Sequence, residues 1–385
     1  MSDSIPHITE IRAIPIHESH AGVTFDTATN EYTLIEVRTD AGVTGIGSSY
    51  TSTDLARAAL GRLEGLYLGE IAIEPQRVHE KLEQSNFWWG RGGTLTHTIS
   101  GIDIALWDIF GKVTGQPVSR LLGGVYRNRV KPYASLSFDP SGDLGKLVNK
   151  LEASLARGFR AFKLGWGAFG RTGNPADDEL LIKTARETVG DGDIMVDPGG
   201  SQQFWPHSFK WALRTAEMLD NYGIVWFEEA LPPDDLEGYK MLRGRTRVMI
   251  SAGEVLTRRQ SFAPFLEQGA WDIVQPDCTK VGGLTEALHI GWMAYRHNIL
   301  TVPHGWNTAV GVAADLHLVA ALPVGKWVEF HQPSDVIDAI VAEPFVIDED
   351  GMMAVPTGSG LGIELDCDGI KRMSGKSLGL GGAQC

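Results

Sequence analysis

Eight short apolar runs recur along the chain, and their regular spacing is the feature that most restricts the fold. They begin at residues 131, 159, 193, 224, 247, 272, 300 and 327, so successive runs start 23 to 34 residues apart. Helical patterns lie between them, for example over Asp178–Val189 and Leu284–His297. Short strands that alternate with helices are typical of β/α units in a parallel sheet. Eight such runs predict an α/β fold with a parallel (β/α)8-type barrel.

The regions before and after these runs have a different pattern. A strand is predicted over Ile8–Ile16, and Thr33–Tyr50 reads as two strands around the turn Asp40-Ala41-Gly42. A helical pattern follows and continues to about residue 123, so the first part is predicted to be an α+β unit. The last part has turn residues and short strand patterns that we expect to return to this unit. The expected division is an N-terminal α+β domain over 1–125, a barrel domain over 126–335, and a C-terminal segment over 336–385 that completes the N-terminal domain.

Composition limits the classes of function. The chain has 385 residues, 43% of them hydrophobic, which is enough to form a sizeable core and excludes whole-chain disorder. Its net charge of −14 disfavours nucleic-acid binding. No apolar stretch reaches the roughly 18 residues of a membrane span, and the N-terminus lacks the charged and apolar regions of a secretory signal. We therefore expect a cytoplasmic protein without membrane or nucleic-acid partners.

Ionisable residues stand where the barrel strands end. They are Lys163, Asp197, Glu228 with Glu229, Glu254, Asp277, His304 and Glu329, from seven successive strands. One such residue alone is more often half of an ordinary salt bridge, but seven strands that supply residues to the same rim indicate a site, because barrel enzymes carry their chemistry there. Buried carboxylates repel each other unless a cation joins them. Asp197, Glu228 and Glu254 are therefore predicted to hold a hard divalent ion such as Mg²⁺, since cysteine and histidine ligands for zinc are lacking.

The remaining rim residues suggest acid–base chemistry. Asp277 and His304 follow neighbouring strands, and a carboxylate bonded to one imidazole nitrogen makes the other a general base or acid near neutral pH. Glu329 is expected to donate a proton to a substrate oxygen if it is held neutral. Lys163 is expected to be a point charge for a substrate carboxylate or for an oxygen on the metal.

The motif order resembles the enolase superfamily and, within it, the mandelate racemase subgroup. The resembling segments cover nearly the whole chain, and they are TISGIDIALWDIFGK, FKLGWG, VDPGG, WFEEALPP, SAGE, DIVQPDCTKVGG, VPHGWNTAVG, WVEFHQP and PTGSGLGIE. The resemblance implies a modified (β/α)7β barrel under an α+β capping domain. It also implies Mg²⁺ ligands at Asp197, Glu228 and Glu254, a catalytic dyad of Asp277 and His304, and stabilisation of an enediolate by Glu329.

One departure from the subgroup pattern bears on the reaction. Many relatives carry Lys-x-Lys at the end of the second barrel strand, and the second lysine is the base on one face of the substrate. Here the segment is Lys163-Leu164-Gly165, so a racemase would lack one of its two acid–base groups. Dehydration needs only one base if the same group later protonates the departing hydroxide. The resemblance therefore favours an acid-sugar dehydratase that converts an aldonate to a 2-keto-3-deoxy acid, with Lys163 kept as an electrostatic contact.

Other interpretations remain open. The same enediolate chemistry would serve a sugar-lactone cycloisomerase or an epimerase, although the missing lysine disfavours epimerisation. A sugar-acid sensor without activity, or a metal-dependent aldolase or hydrolase, fits the motifs less well. In the family the capping domain closes over the barrel mouth and selects the sugar, and its members are commonly dimers to octamers. Candidate substrate-binding residues are His20, Tyr50, Arg171 and Trp306.

Overall fold

The computed structural model describes residues 5–17, 31–199 and 208–374. The chain starts with an antiparallel sheet in the order β1-β2-β3, formed by β1 (Ile8–His17), β2 (Glu31–Thr39) and β3 (Thr44–Ser49). The turn between β2 and β3 contains Gly42 at φ 76°, a backbone conformation that glycine adopts without steric cost. The hairpin predicted around this turn is confirmed, since β2 and β3 pair in antiparallel register.

Four helices follow the small sheet. They are α1 (Thr53–Tyr67), α2 (Pro75–Ser85), α3 (Thr94–Thr114) and α4 (Val118–Leu121). The long helix α3 lies directly on β3, and glycines permit this close approach. A Cβ atom at Gly47 would lie only 1.9 Å from the carbonyl oxygen of Gly101, which is a glycine of α3. Most residues of α3 are therefore buried, because the helix lies between the small sheet on one side and the barrel on the other.

Eight parallel strands and seven helices form the barrel. In chain order they are β4 (Arg129–Ser137), α5 (Leu144–Ala156), β5 (Ala161–Gly165), α6 (Pro175–Val189), β6 (Asp193–Asp197), α7 (Phe209–Asn221), β7 (Trp226–Glu228), α8 (Leu236–Arg243), β8 (Met249–Ala252), α9 (Arg259–Glu267), β9 (Ile273–Val274), α10 (Gly283–Arg296), β10 (Leu300–Thr301), α11 (Ala309–Ala321) and β11 (Trp327–His331). Their order in the sheet is β10-β9-β8-β7-β6-β5-β4-β11. Thr301 bridges to Gly325, just before β11, and brings the two edges together. The expected (β/α)7β architecture is confirmed.

The end of the chain contacts both parts. It contains α12 (Asp335–Asp338), β12 (Met353–Ala354) and α13 (Cys367–Ser374). Strand β12 pairs antiparallel with the start of β4, and α13 packs near β1. Between them, the backbone N–H of Leu361 donates to Asp108 of α3 at 2.9 Å. Within the ranges that the structure describes, no helix is long and apolar enough to cross a membrane.

The barrel interior is built in two layers. The lower layer is apolar and packs side chains from seven strands or strand ends, namely Tyr133, Ala161, Met195, Trp226, Ile273, Val302 and Trp327. Trp226 makes edge contacts with Tyr133 and with Trp327, at centroid distances of 5.4 and 5.3 Å. Because side chains along a strand alternate between faces, the residue two positions later points to the same side. The next layer, towards the carboxyl ends of the strands, is therefore formed by the residues two positions after those of the apolar layer.

Candidate active site

Those residues are polar, and they are buried at the carboxyl end of the barrel. Ser135, Lys163, Asp197, Glu228, His304 and Glu329 each stand two positions after a member of the apolar layer. All six are at most 5% exposed, an exceptional burial for charged side chains. The predicted assembly of rim residues in one site is thus present in the fold.

A carboxylate triad occupies one side of this layer. Asp197, Glu228 and Glu254 each present an oxygen, and the three oxygens lie within 4.8 Å of one another. Burial raises the pKa of Glu228 to about 7, with further increases from neighbouring carboxylates and opposition from Lys163. Burial likewise raises the pKa of Asp197. Three crowded, desolvated carboxylates form an oxygen donor set that fits a hard divalent cation such as Mg²⁺.

Neighbouring N–H groups hold two of the three carboxylates, Asp197 and Glu228. Gly199 N–H donates to Asp197 Oδ1 at 2.8 Å, and the Trp166 indole N–H donates to Oδ2 at 3.3 Å. The indole N–H of Trp226, a member of the apolar layer, donates to Glu228 Oε2 at 2.9 Å. Such outer contacts fix the direction of ligand carboxylates.

Lys163 forms ion pairs with both the triad and Glu329. Its Nζ lies 2.6 Å from Glu228 Oε1 and 2.9 Å from Glu329 Oε1. Burial opposes the charge on Lys163, but the surrounding carboxylates outweigh burial and raise the lysine pKa well above its usual value. Lys163 is therefore a fixed cation that also lines the cavity, as expected for an electrostatic contact.

Glu329 differs from its expected state. Besides Lys163, the backbone N–H of Gly305 donates to Glu329 Oε2 at 2.8 Å. Burial would raise the pKa of Glu329, but Lys163 and then His304 outweigh it and hold the pKa below its usual value. This arrangement favours a charged Glu329 over the neutral proton donor that was considered, because a carboxylate that receives donors and faces a lysine is stabilised in its charged form.

The predicted dyad is assembled. His304 Nδ1 lies 2.7 Å from Asp277 Oδ2, and the other carboxylate oxygen accepts from the backbone N–H and hydroxyl of Thr279 at 2.7 and 2.6 Å. His304 Nε2 faces the triad, 3.2 Å from Glu254 Oε2. Since Asp277 accepts a hydrogen bond from Nδ1–H, Nε2 is the nitrogen available for proton transfer. Burial opposes protonation of His304, but Glu254, Glu329 and Asp277 together outweigh it and raise the imidazole pKa.

A cavity of about 30 Å³ opens between His304 and Lys163. Of the predicted substrate-binding residues, Tyr50 and Trp306 line it. Trp306 donates to Ser135 Oγ at 3.2 Å and packs on His331. Arg171 is absent from the described lining and points a guanidinium N–H at the Gly199 carbonyl, 3.4 Å away. His20 lies outside the described residues.

Gly165 also lines the cavity, at the position where the resemblance places a second lysine, and it brings no acid–base side chain. A Cβ atom at Gly165 would lie 2.2 Å from the carbonyl oxygen of Asp197, so this backbone has no room for a side chain there. The next residue, Trp166, takes a left-handed backbone conformation at φ 55° and lines the cavity. The indole thus forms the wall at the place where many relatives have a second lysine.

Sequence reasoning missed Trp166 and Lys280. Lys280 lines the cavity beside His304, and its place three residues after Asp277 was a usable signal. Trp166 adopts its left-handed conformation where the ends of two strands meet. In the sequence, the glycines on either side of it, Gly165 and Gly167, indicated an unusual backbone.

The fold and the site together define a barrel enzyme in which three buried carboxylates that fit a divalent cation lie beside a hydrogen-bonded His–Asp pair. Residues 7–123 match the family profile described as the mandelate racemase/muconate lactonizing enzyme N-terminal domain, and residues 146–369 match the profile described as enolase C-terminal domain-like. The chain belongs to this mandelate racemase/muconate lactonizing enzyme family of the enolase superfamily.

Individual relatives agree with this assignment. The chain is 30% identical over 378 residues to the D-galactarolactone cycloisomerase of Agrobacterium fabrum, covering 94% of this chain and 96% of the relative. It is 32% identical over 346 residues to the arabinonate dehydratase of Saccharolobus solfataricus, covering 88% and 89%. The 3,6-anhydro-D-galactonate cycloisomerase of Zobellia galactanivorans superimposes with a TM-score of 0.85 at 29% identity, over 95% of this chain and 99% of that one.

Proposed function

We propose that this enzyme catalyses the Mg²⁺-dependent dehydration of an acid sugar, an aldonate, to a 2-keto-3-deoxy acid. The observation that carries the proposal is the asymmetry of the cavity. His304 presents one acid–base nitrogen to the cavity, while Gly165 and Trp166 bring no acid–base side chain to the place where a second lysine would stand. One base suffices for elimination when it returns its proton to the departing oxygen.

The residues divide the work as follows. Asp277 holds the Nδ1 proton of His304, so that Nε2 removes the proton at C2, next to the substrate carboxylate. The C2–H electron pair forms the C2=C3 double bond, and the C3–O bond breaks. His304 then returns its proton to the departing hydroxide, giving water and an enol that tautomerises to the keto acid. Mg²⁺ held by Asp197, Glu228 and Glu254 would supply Lewis-acid stabilisation of the charge that develops on the carboxylate.

Lys163 and Glu329 stabilise the same stage of the reaction. The Lys163 ammonium lies in the cavity wall and can receive part of the negative charge that develops on the substrate. Glu329 fixes Lys163 by an ion pair at 2.9 Å and keeps it charged. Both side chains are held by the barrel before substrate arrives, which reduces the reorganisation that the reaction requires.

A second function uses the same cavity. In a cycloisomerase, the C3–O bond that breaks belongs to a lactone or anhydro ring, so the departing oxygen stays attached to the product. The relatives named as D-galactarolactone and 3,6-anhydro-D-galactonate cycloisomerases favour this alternative. Epimerisation is disfavoured, since it requires a second acid–base group at the place that Gly165 and Trp166 occupy.

The test is a product screen with purified protein and Mg²⁺. D-xylonate, D-arabinonate, L-rhamnonate, D-galactonate and D-galactarolactone are incubated separately, and 2-keto products are trapped with semicarbazide. We expect one aldonate to yield water and a 2-keto-3-deoxy acid. If only the lactone is converted, the enzyme is a cycloisomerase and the proposed dehydration is wrong. Formation of a C2 epimer would refute elimination.

A variant pair tests the role of His304. His304→Asn is expected to lower kcat by about 10³-fold or more, because the base is removed, while Mg²⁺ binding measured by calorimetry is retained. The matched control is His289→Asn, at a histidine in a separate groove between α2 and α10, which should leave kcat unchanged. Near-normal turnover by His304→Asn would overturn the mechanism.

A further inference from the structure

Lys280 is a buried cation in the cavity that the mechanism above does not use. It lies in the loop after β9 and is 7% exposed. Its Nζ is 3.6 Å from Asp277 Oδ2 and 4.3 Å from the centroid of the Tyr50 ring. Among the described residues, none accepts a hydrogen bond from this ammonium within 3.5 Å, and Lys280 lines the cavity. A desolvated ammonium with N–H donors left over is a site for an oxygen of the ligand.

The position of Lys280 is fixed from both domains. Its backbone N–H donates to the Asp277 carbonyl at 3.0 Å, and Tyr50 packs over its ammonium from the N-terminal part of the chain. Tyr50 is itself held, because its N–H donates to the Thr279 carbonyl at 3.2 Å and its carbonyl bonds to His97 Nδ1 at 2.8 Å. Burial opposes the charge on Lys280, but Asp277 and Glu254 outweigh it and keep the lysine pKa above its ordinary value. Lys280 is therefore a permanent, preorganised donor.

The ammonium lies on the same side of the cavity as the base. His304 Nδ1 and Lys280 Nζ both approach Asp277 Oδ2, at 2.7 and 3.6 Å. Both residues line the cavity, so a substrate bound there meets the imidazole and the ammonium together. Lysine is also well suited to an oxygen that gains negative charge, since it is a compact point charge.

We propose that Lys280 is a catalytic residue that donates a hydrogen bond to the oxygen departing from C3. The inference rests on the proposed elimination and adds a second group to the His304 side. As the C3–O bond breaks, its electron pair stays on the oxygen, which takes the proton from His304 and leaves as water. Lys280 keeps its own proton throughout and stabilises the charge on the oxygen while that proton is in transit.

Two reactions separate this role from simple positioning of the dyad. The first is dehydration of the aldonate that the wild type converts fastest in the screen. The second is exchange of the C2 hydrogen for deuterium in D₂O, followed by NMR on the 3-deoxy analogue of that aldonate, which has no departing oxygen. Lys280→Met is expected to lower kcat for dehydration by about 100-fold and to change the exchange rate less than about threefold. Lys131→Met is the matched control, because Lys131 pairs with Asp193 at the opposite end of the barrel.

The outcomes are distinct. Equal losses in dehydration and exchange would show that Lys280 acts only through Asp277, and unchanged dehydration would show no role; either result overturns the inference. A wild type that neither dehydrates an aldonate nor exchanges C2 hydrogen refutes the proposed function instead. Unfolding and Mg²⁺ calorimetry check that Lys280→Met is folded. If it is not, Lys280→Gln keeps an N–H donor without charge, and the same difference between the two reactions is expected from it.

Discussion

Replacement of Gly165 by alanine tests whether the missing second lysine is a steric necessity. The added Cβ atom would lie 2.2 Å from the Asp197 carbonyl oxygen and 2.9 Å from its Cβ. A relaxed carbon–oxygen contact is about 3.3 Å, so the ends of β5 and β6 must separate by about 1 Å. Overpacking of this kind costs about 1–3 kcal/mol. Because β6 carries Asp197, a proposed metal ligand, the displacement should also weaken Mg²⁺ binding, and we expect at least about a tenfold loss, or 1.4 kcal/mol.

Urea unfolding followed by tryptophan fluorescence measures the first effect, and titration calorimetry with Mg²⁺ measures the second. Gly61→Ala is the matched control, since a Cβ atom at this exposed position of α1 meets nothing within 4 Å. It should raise the free energy of unfolding by about 0.5–1 kcal/mol, the usual advantage of alanine over glycine in a helix. If Gly165→Ala matched the wild type in both stability and Mg²⁺ affinity, the steric argument would be refuted, and the glycine would have to be explained otherwise.

Two further variants test other features of the structure. The first concerns the buried carboxylate of Asp178 in α6, and the second concerns the hydrogen bond that supports Asp197 of the triad. Burial raises the pKa of Asp178 to about 6, above its value in the unfolded chain, so its ionisation destabilises the fold progressively as the pH rises from 4 to above 6. Asp178→Asn should therefore gain roughly 2 kcal/mol of unfolding free energy at pH 8 and little at pH 4; an equal gain at both pH values would contradict the assignment. Trp166→Phe removes the N–H that donates to Asp197, and Mg²⁺ affinity measured by calorimetry should fall about 10-fold or more. Unchanged affinity would show that the indole N–H does not orient the ligand.

The barrel and its rim were predictable because one rule generates both. Each apolar run ends in a polar residue, and the alternation of side chains along a strand carries both residues to the barrel interior. Asp197 follows Met195, and Glu329 follows Trp327, at the same interval. Strand order could also be predicted, since successive β/α units place their strands side by side.

What the sequence did not reveal depends on contacts between distant segments. The preference of Glu329 for its charged form follows from Lys163, which lies six strands away in the chain but 2.9 Å away in space. The place of Lys280 follows from Tyr50, which reaches it from the other domain. No local pattern encodes such distances. The spacing of Asp277 and Lys280 indicated proximity, but the cavity was required to show that the lysine faces it.

The two-layer interior separates the stability of the protein from its chemistry along every strand. The apolar plug of Trp226, Trp327 and their neighbours closes the lower barrel without any contribution from substrate or metal. Two residues further along, each strand carries a side chain that can be exchanged without opening that plug. Substitutions in the polar layer can therefore change the reaction, while the apolar layer beneath it preserves the fold. In this chain, Gly165 leaves part of the cavity wall without a side chain, while the apolar layer beneath it remains packed.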